Sequence, residues 1–237
     1  MSIALVTGAS GGLGQEVVRH LLIEGYDVIA HYNGADEDAL MRRFTGHQGR
    51  VFCVRADLRN KDDITKMVRD IAKWYDGVNA LINAAGITRD SLLVKCPTQD
   101  WDDVIGVNLS GTYHVIKALL PLLINSGAAA VINVSSIAGV KGVVGQCAYS
   151  ASKAALLGLT YALARELADV NIRVNAILPG YMETEMGLSN PRAMQLATEQ
   201  SLLHCLSSVQ EAASFICRLL RSQRVTGQVF TLDSRIL

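Results

Sequence analysis

Tyr149 and Lys153 stand four positions apart in the stretch YSASK. A helix places positions i and i+4 on one face, so a phenol and an ammonium can aim at one point. A phenol ionises near ~10 in water and is a poor acid–base catalyst at neutral pH until a cation stabilises its anion. Lys153, one turn along, supplies such a cation. Ser136 precedes Tyr149 by thirteen positions, enough for the loop IAGVKGVVGQCA to carry the chain from a strand end into the helix. The three could share one cleft as a proton donor, its tuning cation and a hydroxyl for the same oxygen. A YxxxK spacing by itself is common on exposed helix surfaces, so the setting decides its meaning.

A second candidate is TGASGGLG, Thr7 to Gly14, which follows the first apolar run and leads straight into an amphipathic helical pattern. Glycines let the backbone turn tightly and approach a phosphate, whose charge the free amides and dipole of a helix N-terminus favour. Gly8, Gly12 and Gly14 are the positions that would do this, and no Lys-Ser/Thr pair makes the loop a triphosphate site. The loop therefore reads as a dinucleotide site. Cofactor choice is read at the end of the second strand, where a carboxylate would hold a ribose 2′-hydroxyl and repel a 2′-phosphate. Tyr32 and Asn33 occupy that place, with no carboxylate there, which favours NADP(H) over NAD(H). Neither the loop nor this strand end carries an arginine or lysine to grip the phosphate.

Seven short apolar runs can position these groups: IALVTG, DVIAHY, RVFCVRAD, NALINAAG, AAVINVSS, IRVNAILPG and GQVFTLD. Between them lie segments with helical spacing, among them LGQEVVRHLLIEG, DDITKMVRDIAKWY, DWDDVIGVNLSGTYHVIKALLPLLI and AYSASKAALLGLTYALARELA. Such alternation predicts an α/β fold: a doubly wound (Rossmann) parallel sheet of about seven strands with helices on both faces. No linker or repeat splits the chain, so 1–237 is read as one dinucleotide-binding and catalytic domain. The stretch GYMETEMGLSNPR, about 180 to 192, has no clear period, and 180–205 is expected to form a lid over the substrate.

Ligands of open α/β sheets bind beyond the carboxyl ends of the strands. Asp57 follows the third run, Asn83 to Gly86 the fourth, and Ser135 and Ser136 the fifth, so together they would line one rim. The 22 basic and 22 acidic side chains balance, which disfavours a nucleic-acid partner. The five cysteines are scattered without close pairs, so a metal site is not expected and reduced thiols in a cytoplasm fit best. No apolar run approaches the roughly 18 residues of a membrane span, and the N-terminus enters a strand pattern at once, so a cytoplasmic chain without membrane attachment is expected.

These residues resemble the short-chain dehydrogenases/reductases. TGASGGLG looks like that family's TGxxxGxG loop, NAAG like its NNAG strand end, Ser136 with Tyr149-xxx-Lys153 like its catalytic core, and Pro179-Gly180 like its post-strand turn. The resemblance implies that Tyr149 gives a proton to a carbonyl oxygen that Ser136 also hydrogen-bonds. It implies that Lys153 lowers the tyrosine's pKa and holds the nicotinamide ribose, and that Asn108, in GVNLSG, holds a water in a relay to the lysine. It also implies cofactor contacts from Gly8, Ser10, Gly12, Leu13 and Gly14 in the loop, and from Asn33, Asp57, Leu58, Asn83, Ala84 and Gly86 at later strand ends. Tyr149, Lys153, Pro179, Gly180, Met182 and Thr184 would complete the set.

Within the family, NAAGITRDSLLVK, WDDVIGVNLSGTYHV and PGYMETEM look most like reductases of 3-oxoacyl thioesters carried on acyl carrier protein or CoA, which use NADPH and assemble as homotetramers. Alternatives are a member acting on another ketone or secondary alcohol, and a non-catalytic dinucleotide-binding regulator. Gly11 stands where many carrier-protein reductases have an arginine, leaving Ser10, Asn33 and backbone amides for the 2′-phosphate. SLLHCLSSVQEAASFICRLL and FTLDSRIL also depart from the family's usual C-terminal runs.

Overall fold

The computed structural model describes residues 2–46 and 50–236. All seven apolar runs form strands: β1 Ile3–Thr7, β2 Asp27–Tyr32, β3 Val51–Arg55, β4 Ala80–Asn83, β5 Ala129–Val134, β6 Ile172–Pro179 and β7 Val229–Leu232. They pair in parallel in the order β3-β2-β1-β4-β5-β6-β7. The strand order reverses between β1 and β4, and that reversal opens a crevice at the carboxyl edge where the glycine loop lies.

The helices are α1 Gly12–Ile23, α2 Glu37–Arg42, α3 Lys61–Trp74, α4 Thr98–Ile105, α5 Thr112–Asn125, α6 Ala138–Lys141, α7 Cys147–Glu166, α8 Glu185–Leu188, α9 Pro191–Gln200 and α10 Val209–Arg221. One face of the sheet is sealed by Val17, Val18 and Leu21 of α1 with Ala213 and Ile216 of α10, packed on Val6, Val28 and Ile132. The other is sealed by Ile64 and Ile71 of α3 with Val115, Leu119 and Leu123 of α5, packed on Leu5, Leu81 and Val131. Burying one such side chain contributes about 1.5–3 kcal/mol, so these two faces set the layering.

The long pattern around Asn108 is one helix from Thr98 to Asn125, but α4 and α5 meet in a wide π turn, Gly106–Gly111. By length and mean hydropathy (1.3) this helix is long and apolar enough to cross a bilayer, although polar residues interrupt every apolar run within it. In the fold it packs on the sheet and keeps Asn108 fully buried.

The stretch 180–192, expected to lack regular structure, contains α8, capped by Thr184 Oγ1 accepting from Gly187 N (3.2 Å), and the start of α9, capped by Asn190 Oδ1 accepting from Ala193 N (3.1 Å). A single helical turn holds too few residues to show a period, which is why the pattern is blank there. The divergent run 201–220 supplies most of α10, whose buried stripe includes Ala212, Ala213, Ile216 and Leu220.

Candidate active site

The glycine loop is built by close approach. Gly8 has φ +69°, and a Cβ there would lie 2.7 Å from Ala85 Cα; a Cβ on Gly14 would lie 2.1 Å from Gly8 O. On Gly12 it would lie 2.6 Å from Thr184 Cγ2, so the segment after β6 touches the loop. No side chain caps α1, whose N-cap is Gly11. Tight glycine packing with uncapped first-turn amides is the cradle a pyrophosphate needs, and the residues present fit a dinucleotide.

A residue the sequence reading did not single out holds this loop. His31 of β2 is buried; its Nδ1 accepts from Gly8 N at 3.2 Å and its Nε2 donates to Ala56 O at 3.0 Å. With Gly8 N–H as donor, the imidazole is the neutral Nε2–H form, and burial pulls its pKa below the usual value. Period-2 patterning marks His31 only as an inward strand residue, and its two partners lie far off in sequence.

At the ends of β5 and α7 the expected cluster assembles. Ser135 is buried, and its Oγ donates to Lys153 O (2.7 Å), fixing α7 to the strand end. Ser136, next in sequence, hydrogen-bonds the half-buried Tyr149, while its Oγ accepts from Ala138 N (3.2 Å). Lys153 Nζ lies 5.5 Å from the Tyr149 ring centroid and donates to Val134 O at 2.8 Å. Burial alone brings Lys153 down to about 8. Lys153 is not among the groups that move the Tyr149 pKa in this arrangement. Burial pushes Tyr149 up, Ser136 pulls it back in part, and Asp90 pushes it up further.

Asn108 Oδ1 accepts from Ile87 N (2.8 Å), and its Nδ2 donates to Ile87 O (3.0 Å) and Ser152 Oγ (3.0 Å). Its side chain thus clips the chain after β4 to α7. Asn108 Oδ1 and Lys153 Nζ lie 3.4 and 3.3 Å from where a Cβ on Gly86 would stand, so only glycine leaves the space between them open.

The remaining expected residues divide by what their side chains do. Leu13 and Leu58 are buried in the two cores, leaving only backbone for a ligand. Asn83 is buried and donates to Asn133 Oδ1 (2.9 Å), while its own Oδ1 has no partner. Ala84 and Gly86 continue that strand end at partial exposure. The Asp57 carboxylate is taken by Arg59 (2.6 Å), which holds its pKa below the ordinary range, so this side chain is less available than expected. Ser10 is partly exposed at the loop, and Asn33 is exposed with its carbonyl accepting from Arg55 Nε (3.0 Å). Pro179 ends β6, and the Cβ space of Gly180 is filled by Ser207 Oγ and Asp233 Oδ2. Met182 packs against the α1-side core, and Thr184 covers Gly12.

The cleft has an apolar mouth. Ser91 N donates to Gly145 O (2.8 Å) and Gln146 Nε2 to Asp90 Oδ2 (2.8 Å), pinning together two loops that expose Leu92, Leu93, Val94, Val143 and Val144. The Asp90 carboxylate in these loops pushes up the pKa of both Tyr149 and Tyr181. Beyond them the C-terminal segment ties in: Ser201 Oγ and Ser234 Oγ are 2.5 Å apart, and Lys141 Nζ donates to Ile236 O. Among the described residues no cluster of His, Cys, Asp or Glu could hold a metal.

A doubly wound sheet with a glycine cradle packed on Ala85 and a Ser–Tyr–Lys cluster that reaches the adjacent Gly86 defines a nicotinamide-dependent oxidoreductase. The chain belongs to the short-chain dehydrogenase family, whose profile matches residues 2–195. It is 37% identical over 239 positions to a 3-oxoacyl-[acyl-carrier-protein] reductase of Thermotoga maritima, covering 99% of this chain and 97% of that one. It is 38% identical over 236 positions to the reductase of the same name in Staphylococcus epidermidis, with 97% and 96% covered. A dehydrogenase/reductase from Sinorhizobium meliloti superposes with a TM-score of 0.92 at 30% identity, over 98% of this chain and 94% of that one.

Proposed function

We propose that this protein reduces a 3-oxoacyl thioester to the 3-hydroxyacyl thioester with NADPH. The observation that carries the reading is the hydrogen bond of Ser136 with Tyr149 and the Lys153 ammonium 5.5 Å from the phenol ring, beside the open space at Gly86 in the strand end whose Ala85 packs on Gly8. The names of the Thermotoga and Staphylococcus relatives point to the same substrate class.

The nicotinamide, when bound, supplies hydride to the carbonyl carbon. Tyr149 donates its proton to the carbonyl oxygen, a transfer opposed by the burial that raises its pKa and eased by its hydrogen bond with Ser136. Ser136 hydrogen-bonds the same oxygen as charge develops on it. Lys153 holds the nicotinamide ribose and, with a pKa of about 8, is poised to pass a proton toward Tyr149. Gly86 leaves open the space between Asn108 and Lys153, where a relaying water would sit. Gly8, Gly12, Gly14 and the amides of Leu13 and Gly14 cradle the pyrophosphate, while the turn Pro179–Gly180, with Met182 and Thr184, borders the nicotinamide. The segment 180–205 acts as the substrate lid.

The exposed apolar side chains at the mouth suit an acyl chain, and Lys95 and Lys141 beside them suit an acidic carrier protein; CoA is the other carrier of the same thioester. Exposed Tyr113 on α5 and Tyr161 on α7 give those helices faces for a homotetramer. The free cysteines suit a cytoplasmic setting. A second reading, reduction of another ketone, draws on the match to the Sinorhizobium dehydrogenase/reductase.

Cofactor oxidation would be followed with acetoacetyl-CoA, an acetoacetyl carrier-protein thioester and simple ketones, beside Tyr149→Phe. Turnover of a thioester, falling about 10²–10⁴-fold in the variant, is expected. Turnover of ketones alone would replace the substrate assignment, and full activity in the variant would remove Tyr149 from its role.

A further inference from the structure

No cation was found in the glycine loop or at the tip of β2, yet the fold brings one there from the neighbouring strand. β3 pairs with β2 in a register that sets Arg55 beside Tyr32, so Arg55 reaches the tip on the same sheet face. Its Nε donates to Asn33 O at 3.0 Å, at the position where the sequence reading looked for the residue facing the ribose 2′ substituent. Arg55 is exposed, and among the described residues no carboxylate lies within ion-pair distance of it.

The nearby acids are otherwise engaged. Glu37 accepts from Tyr32 Oη at 2.5 Å, and Asp36 caps α2 by accepting from Asp38 N (3.0 Å). The other arginine of this rim, Arg43, is turned to Gln15 Oε1 on α1 (2.8 Å). Arg55 alone is anchored at the β2 tip by one nitrogen, which leaves the two terminal amino groups of the fork directed by that anchor. A planar fork held this way matches phosphate oxygens two at a time, a match a lysine cannot give.

We propose that Arg55 is the specificity-determining residue for the cofactor, gripping the 2′-phosphate of NADP(H) from the end of β3. The proposal rests on the NADPH reading above and names the side chain responsible for it. Asn33 positions the guanidinium through its carbonyl, so its own side chain is free to vary.

Calorimetry would measure binding of NADP⁺, NAD⁺ and adenosine 2′,5′-bisphosphate to the wild type, Arg55→Gln, Arg55→Lys and Arg43→Gln, with no substrate present. Arg55→Gln is expected to weaken NADP⁺ and the bisphosphate about 10- to 100-fold and leave NAD⁺ unchanged. Arg55→Lys should recover part of the loss, and the wild-type preference should shrink as salt is raised. A wild type that prefers NADP⁺ and keeps the preference in Arg55→Gln would overturn the assignment while sparing the NADPH reading, as would loss of the preference in Arg43→Gln alone. Equal weakening of both dinucleotides would reduce Arg55 to a support for the β2 tip. A wild type that binds both equally would remove the NADPH reading and the assignment with it.

Discussion

The ammonium of Lys153 donates to the carbonyl of Val134 at 2.8 Å, so the last residue of β5 holds the charge that stands 5.5 Å from the Tyr149 ring. The lysine is buried with that carbonyl as its one protein hydrogen-bond partner among the described residues. Keeping a charge there costs stability.

Because burial lowers Lys153 from 10.5 to about 8, the unfolded chain binds the proton more tightly between those values, and this group's contribution to stability rises with pH across that window. The full span corresponds to roughly 3 kcal/mol. In Lys153→Met the dependence disappears. Denaturant unfolding of both proteins at pH 7.5 to 10.5 should therefore show the variant losing ground to the wild type by up to roughly 3 kcal/mol as pH rises. A constant difference would mean that the lysine titrates normally in the fold.

His31 makes the dinucleotide loop sensitive to acid. Its folded pKa is depressed below 6.5, so the stability it contributes is complete above 6.5 and is lost as pH falls toward the folded value. A protonated ring would point N–H at the Gly8 N–H it now accepts from, and Asp57 is the charged group that eases this protonation. NADP⁺ affinity should weaken in the wild type only as pH drops below 6.5 toward the depressed folded value. His31→Leu should bind several-fold more weakly at pH 7 and lack that pH dependence, while His31→Asn, which keeps an acceptor and a donor, should recover affinity. Identical pH profiles in wild type and His31→Leu would refute the linkage.

Two glycines of the loop should fail differently. A Cβ on Gly14 meets the backbone of Gly8 at 2.1 Å, so Gly14→Ala must rebuild the loop, at a cost of about 1–3 kcal/mol or more, and lose dinucleotide binding. A Cβ on Gly12 meets Thr184, 2.6 Å from its Cγ2 and 2.9 Å from its Cβ. Gly12→Ala should displace Thr184 with its cap on α8, lower the melting temperature less than Gly14→Ala does, and weaken cofactor binding. Matching melting temperatures for the two variants would contradict this division.

The strands were readable because each is a short apolar run between turn residues, and a parallel sheet buried on both faces demands such runs. The Ser136, Tyr149 and Lys153 cluster was readable because those residues lie close in sequence or one helical turn apart. What the sequence hid depends on lateral pairing. His31 meets Gly8 and Ala56 only through the order β3-β2-β1, and Arg55 reaches Asn33 only through the β2–β3 register. Signs of pKa shifts were hidden too, since the depth at which Tyr149 and Lys153 sit outweighs their proximity. The helical turn at 185–188 was too short to leave a pattern.

The π turn at Gly106–Gly111 accommodates one residue more than a regular helix would between the segments it joins. A one-residue difference rotates everything upstream by about 100° relative to everything downstream. The upstream half presents one phase, the downstream half another, and Asn108 sits at the seam with Thr112 Oγ1 on its carbonyl. Its inward aim is thus written into the chain as a count of residues rather than as a kind of residue. Removing Leu109 alone would leave a smoother helix whose downstream half still seals the sheet through Leu119 and Leu123, with the buried Val104 and Asn108 turned elsewhere: a centre lost through one missing codon.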